Sequence, residues 1–237
     1  VMIQHHPTDN ILVEFAAGTL DTAQAVAVNA HLHFCTKCQQ NIKKMEQTGG
    51  AMLDNLVPEA LAENSYDELL SAIEIMAAKN ISTNHGTDDT LINNKTDLRS
   101  EEAVKIARDF GRLPNVVAKM MSQKALKWRY INSSLQTSHL IAGQNVHQVS
   151  LQKISAGGVA PEHDHSGTEM TVVLKGSFSD KDGIYQVGDF ILKEPGQIHQ
   201  PISARNEDCL CLSVESAPVV LTGFFGRMVN LFIKHNA

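Results

Sequence analysis

The sequence predicts a multi-domain α + β protein, a helical bundle followed by an antiparallel β-barrel or jelly roll. Three observations carry this reading. Residues 1–80 contain no strand-like alternation and read as helices throughout. Residues 79–97 are rich in Asn, Thr, Asp, Ser and Gly and poor in apolar residues, the composition of a linker. From Ala125 onward short apolar runs recur between Gly, Asn and Ser turns, which is the spacing of an antiparallel barrel. The expected divisions are a helical domain over 1–80, a flexible linker over 81–98 and a β domain over 99–237. With a tether of that composition, no large contact need cross from one half to the other.

A chain of 237 residues, 43% hydrophobic and 19% charged, is long enough to bury a sizeable core. Its net charge of −6 argues against a nucleic-acid surface, which needs a clustered basic patch. No window reaches the roughly 18 apolar residues of a membrane helix. The most apolar stretch, Val219–Ile233, is broken by Gly223, Gly226, Arg227 and Asn230. The start lacks a basic region followed by an apolar one, so a cytoplasmic location is expected. The four Cys fall in two close pairs, Cys35/Cys38 and Cys209/Cys211, and read as metal-binding or redox-active rather than as structural disulfides.

In the first half, Asp9 is positioned to cap a helix through Phe15, with Gly18 as its stop. Asp21 opens a second helix to about His31. A third follows the Cys pair through Ile42 and Met45, and Gly49-Gly50 is expected to end it. Ser65-Tyr66-Asp67-Glu68 is a capping-box sequence. The helix it opens carries Tyr66, Leu69, Leu70, Ile73 and Met76 on one stripe, which fits either core packing or a partner surface.

Within this half lies His31-x3-Cys35-x2-Cys38. Cys-x2-Cys presents two thiolates to one tetrahedral zinc, and His31 shares a face with Cys35 if the helix continues. His5-His6 could supply a fourth ligand. A thioredoxin-like dithiol would need a βαβ context, which is absent. His33 falls on the opposite side of such a helix and is a weaker ligand.

Short helices are expected at Glu101–Phe110 and, behind Pro114, at Asn115–Met121. The clearest strands are Lys127–Ile131, His139–Ile141, Val146–Ile154, Thr171–Leu174, Asp189–Leu192 and Cys209–Val214. The chemistry of this half is concentrated in Gly157-x5-His163-x-His165-x3-Glu169-x6-Gly176, with His199 behind Gly188 and Pro195-Gly196. Two His at i and i+2 of a strand project from one face. Three imidazoles and a carboxylate suit Zn, Mn, Fe or Ni. His85, His139 and His147 are read as ordinary residues, and Trp128 as an apolar anchor. Cys209 and Cys211 share a strand face; the simple reading is two small buried hydrophobes, the sharper one a pair of oxidation targets near the second metal. A regular strand holds their side chains too far apart for a disulfide.

The Gly157–Gly176 stretch resembles the first cupin motif at every defining position, and Gly188, Gly196 and His199 match the second. Glu194 and Ser203 depart from it, where proline and asparagine are usual, but neither is a ligand position. A His/Cys helical start joined to a cupin resembles the ChrR family of zinc-containing anti-sigma factors along the whole chain. The likeness includes Phe15-Ala16-Ala17-Gly18-Thr19-Leu20 and Cys209-Leu210-Cys211-Leu212. That resemblance implies zinc on His6, His31, Cys35 and Cys38, and a second zinc on His163, His165, Glu169 and His199. It also implies an N-terminal domain that silences an ECF-type sigma factor, and a cupin that releases it when singlet oxygen or related oxidants appear. No catalytic residue follows from it. The alternative is a metal-dependent cupin enzyme, a dioxygenase or isomerase, with a regulatory zinc-binding helical domain.

Overall fold

The computed structural model describes residues 3–60, 62–83, 111, 113–123, 126–140, 147–217 and 219–222. The expected helix at 101–110, most of the linker and His85 lie outside them. Helices α1 (Asp9–Ala16), α2 (Thr22–Leu32), α3 (Thr36–Asp54) and α4 (Ser65–Thr83) come first, and α5 (Asn115–Gln123) leads into the β part.

The helix starts follow local chemistry, with adjustments. Thr8, rather than Asp9, caps α1, its hydroxyl accepting from the Ile11 N–H, and Gly18 takes φ +70° just beyond the end. Asp21 caps α2, accepting from the N–H groups of Ala23 and Gln24 at 2.9 and 3.0 Å. The expected stop of α3 at Gly49-Gly50 is overturned, since the helix runs through both glycines to Asp54. Neither glycine has a positive φ, and helical glycine costs only about 1 kcal/mol. Ser65 is already helical in α4; Asn64 stands before it, its carbonyl accepting from the Glu68 N–H at 3.0 Å and its side-chain amide bonding the Glu68 carboxylate.

The β part has eleven strands among the described residues. They are β1 (Arg129–Tyr130), β2 (Leu135–Leu140), β3 (Gln148–Ile154), β4 (His163–His165), β5 (Glu169–Lys175) and β6 (Ser177–Asp180). After these come β7 (Gly183–Gln186), β8 (Phe190–Lys193), β9 (Ile202–Ser203), β10 (Cys209–Glu215) and β11 (Val219–Leu221). A six-stranded sheet in the order β1-β2-β3-β10-β5-β8 faces a pair β11-β4 and a trio β7-β6-β9. Every pairing is antiparallel, the jelly-roll arrangement expected of a cupin.

β5 and β10 are buried along nearly their whole length. They sit at the middle of the large sheet, with one face toward the barrel interior and the other under α2. This explains why α2 buries a wide arc, Ala23, Val26, Ala27, Val28, Ala30 and His31, and leaves Thr22 and Asn29 on its open side. An apolar arc that broad needs more than one neighbour to cover it. One hydrophobic cluster therefore runs from Leu12 and Val28 through Val117 and Met121 to Val172 and Leu212.

The expectation that no large contact crosses between the halves does not hold. Besides that common core, the Asp189 carboxylate accepts from the N–H groups of Gln4 and His5 at 2.8 and 3.0 Å. The Phe190 N–H donates to the His5 carbonyl at 3.0 Å, and His147 lies 3.0 Å from Asp21. The linker's composition says only that the connecting chain need not pack; it does not say that the domains it joins stay apart.

Candidate metal centres

The first centre forms where the N-terminal segment before α1, the α2–α3 junction and the β7–β8 turn meet. His6, His31, Cys35 and Cys38 place one ligand atom each within 4.8 Å of one another. The helix does not continue from His31 to Cys35, as helical spacing suggested. Instead α2 ends at Leu32 and Cys35 is the N-cap of α3, in extended backbone. From there Cys35 Sγ accepts from the Cys38 N–H at 3.4 Å, and His6 Nδ1 lies 3.4 and 3.5 Å from the two sulfurs. His31 is fully buried. Its Nδ1 donates to the Gly188 carbonyl at 2.7 Å, which leaves Nε2 unprotonated, buried and without a protein partner. Burial pushes its pKa down to about 4, so the ring is neutral at ordinary pH and able to ligate. Burial also pushes the Cys38 thiol up to about 12, with Cys35 adding to the rise. Two thiolates in this place therefore need a cation, and an N2S2 set fits tetrahedral zinc. His5 turns the other way, its Nδ1 3.4 Å from Asp189, and His33 stacks edge-on with Phe34 outside the cluster.

The second centre lies in the barrel. His163 and His165 sit on β4, Glu169 begins β5, and His199 bridges back to His163. His199 Nε2 is 2.9 Å from His163 Nε2 and 3.1 Å from His165 Nε2; Glu169 Oε2 is 3.3 Å from His165 Nε2. Such spacings match the edges of a coordination sphere with bonds of roughly 2 Å. The outer contacts fix the rings in that sense. His163 Nδ1 donates to the Pro161 carbonyl at 2.8 Å, and His199 Nδ1 lies 3.2 Å from Asp180 Oδ2. Ser213 donates to Glu169 Oε1 at 2.7 Å. Burial pushes His199 down to about 4, which leaves it neutral. Metal ligands are characteristically oriented by partners of this kind.

Beside this centre opens a cavity of about 310 Å³, lined by apolar residues such as Leu135, Phe178 and Val219 and by the polar Gln152 and Glu215. Burial, reinforced by Glu169, pushes Glu215 up to about 8. His139, read as ordinary from sequence, lines the same cavity. Cys211 lines it as well, and Cys209 and Cys211 are buried free thiols whose sulfurs lie 3.7 Å apart. The two side chains lean toward each other on a strand whose own pairing with β3 is regular; the register shift between Leu210 and Cys211 places its extra residue, Leu174, on β5.

The stripe on α4 does not pack into a core. Tyr66, Leu69, Leu70, Ile73 and Met76 are all exposed, as are Met52, Leu53, Leu56 and Val57 just before it. Sequence reasoning marked Gly188 only as a motif position and missed Asp189, Asp180, Tyr185 and Ser213 as supporting residues. No local motif marks these four, because each acts on a group distant in sequence.

Residues 117–218 match the family described as the ChrR cupin-like domain. The anti-sigma-E factor ChrR of Cereibacter sphaeroides is 26% identical over 234 residues, which span 98% of this chain and 99% of the relative. A chain of the crystal structure of Rhodobacter sphaeroides SigE in complex with the anti-sigma ChrR superposes with a TM-score of 0.67 at 25% identity. The match covers 90% of this chain and 99% of that one. Cupin domain, helical start and His/Cys group together bear out the resemblance of this chain to the ChrR family of anti-sigma factors.

Proposed function

We propose that this protein is an anti-sigma factor. Its helical part binds an ECF-type sigma factor, and its metal-bearing cupin controls release in response to singlet oxygen or a related oxidant. The observation that carries the binding half is the apolar surface of α4, left open to solvent where a monomer normally buries such a stripe. An exposed amphipathic helix is the usual element for helix-in-groove recognition. Leu69, Leu70, Ile73 and Met76 are its proposed contacts. The relative that aligns along nearly the whole chain carries an anti-sigma name, and the structural match is to a chain from a complex of SigE with the anti-sigma ChrR. A metal-dependent cupin enzyme would leave both the α4 surface and this likeness without explanation.

In this reading His6, His31, Cys35 and Cys38 hold zinc as a folding element. His163, His165, Glu169 and His199 hold a second ion, zinc or alternatively Fe, Mn or Ni. Cys209 and Cys211, beside the cavity, are the proposed redox pair. A cytoplasmic location goes with the sigma-factor partner, and no helix among the described residues is long and apolar enough to cross a membrane. The test is co-expression with ECF-type sigma factors from the same genome and co-purification. A stoichiometric complex with one of them is expected; failure to retain any would refute the reading.

A further inference from the structure

One stretch of chain, residues 180–193, touches both metal centres. At its start, Asp180 Oδ2 lies 3.2 Å from Nδ1 of His199, a ligand of the cupin centre. Near its end, the Gly188 carbonyl accepts from Nδ1 of His31, a ligand of the first centre, at 2.7 Å. The interval between is filled by direct contacts. The Tyr185 hydroxyl donates to Asp180 Oδ1 at 3.2 Å, and its ring meets the His5 ring edge-on at 4.8 Å. His5 Nδ1 lies 3.4 Å from Asp189 Oδ2, while Asp189 Oδ1 holds the N–H groups of Gln4 and His5, next to the ligand His6. Lys193 closes the near end, its Nζ 3.0 Å from Asp180 Oδ2. Tyr185, Asp189 and Lys193 are all buried.

We propose that residues 180–193 are a shared outer shell that couples the two centres, so that emptying the cupin centre weakens the hold of the His6/His31/Cys35/Cys38 centre on its ion. The proposal rests on reading both clusters as metal centres. An imidazole's orientation is set by the partner of its other nitrogen, and each centre takes one such partner from this segment. The segment has little room to adjust independently. A Cβ on Gly188 would come within 2.7 Å of Ile3 Cδ1 and 2.8 Å of Phe34 Cβ, so a displaced turn must carry the N-terminal segment with it. Once His199 no longer holds an ion, Asp180 and Tyr185 lose a fixed neighbour, and the disturbance reaches His5, His6 and His31. The coupling is reciprocal by thermodynamic necessity.

The full-length chain loaded with Co2+ gives the readout, because only the cysteine-containing centre produces thiolate-to-metal charge-transfer absorption. Decay of that band after adding a chelator measures release from the first centre alone. Metal content is counted first. Fewer than two ions per chain would overturn the two-centre reading itself, whereas two ions released independently would overturn only the coupling. Emptying the cupin with His163→Ala and His165→Ala should speed the decay about tenfold, the lower end of an outer-shell effect. In a Tyr185→Phe background, which keeps the ring but loses the bond to Asp180, the same pair should add little. Asp180→Asn is the second such background, with helical content and thermal midpoint confirming the fold of each variant. Equal decay with and without the cupin ligands, or the same acceleration in both backgrounds, refutes the proposal.

Discussion

His31 Nδ1 bonds the Gly188 carbonyl at 2.7 Å across 157 residues of sequence, tying a proposed ligand of the helical part to a turn of the barrel. A fragment cut at residue 79 would therefore lose more than the cupin. It would end inside α4, uncover the α2 face that rests on β5 and β10, and leave His31 without its acceptor.

Gly188→Ala tests that junction. The position has φ +92° and no space for a Cβ beside Ile3 and Phe34. Left-handed backbone costs about 1–2 kcal/mol and overpacking about 1–3 kcal/mol more, so a loss of roughly 2–5 kcal/mol is expected in denaturant unfolding. A change below about 0.5 kcal/mol would show that the turn relaxes freely.

Removing the proposed first zinc site should unfold the helical part and abolish partner binding together. Cys35→Ser with Cys38→Ser leaves two imidazoles and no thiolates, and structural zinc contributes folding energy directly. Circular dichroism and sigma-factor pull-down should both collapse. Normal sigma affinity in the metal-free double variant would contradict the assignment.

Leu69→Asp with Ile73→Asp should cut sigma affinity by at least about a hundredfold, since desolvated apolar anchors dominate such interfaces. Both residues are more than half exposed, so the thermal midpoint should stay within a degree or two. An unchanged affinity would move the interface off α4.

His163→Ala with His165→Ala should spare sigma binding at saturating zinc, because the α4 surface is untouched. It should blunt release by oxidant. A sigma-dependent reporter exposed to singlet oxygen distinguishes the outcomes: one that still switches on fully would remove the cupin from the signal.

The barrel of the metal-free protein should lose stability as pH falls below neutral. His199 is held at about 4 in the folded barrel against 6.5 in an unfolded chain. Between those values the unfolded chain binds a proton that the folded one excludes, so the stabilisation is complete above 6.5 and lost as pH falls toward 4. The upper bound is about 3 kcal/mol for this imidazole. Unfolding curves from pH 7 to 4.5 check this, and a flat profile would mean that the ring reaches solvent.

The sequence by itself determined the local and periodic features. Asp21 caps α2 as its side chain and position dictate, and the alternating runs around Thr171 and Cys211 become β5 and β10. The spacing of His163, His165 and Glu169 also works locally, because strand geometry and the short Ser166–Thr168 connection bring the three together. Only the tertiary structure decided which of the paired histidines joins Cys35 and Cys38, since His5 and His6 are equivalent until Asp189 takes one of them. It also decided the fate of the α4 stripe, whose spacing fits a buried or an exposed face equally well. And it decided that the two halves share a core, because burying the wide apolar arc of α2 takes a second domain, and no residue of α2 names the strand that will cover it.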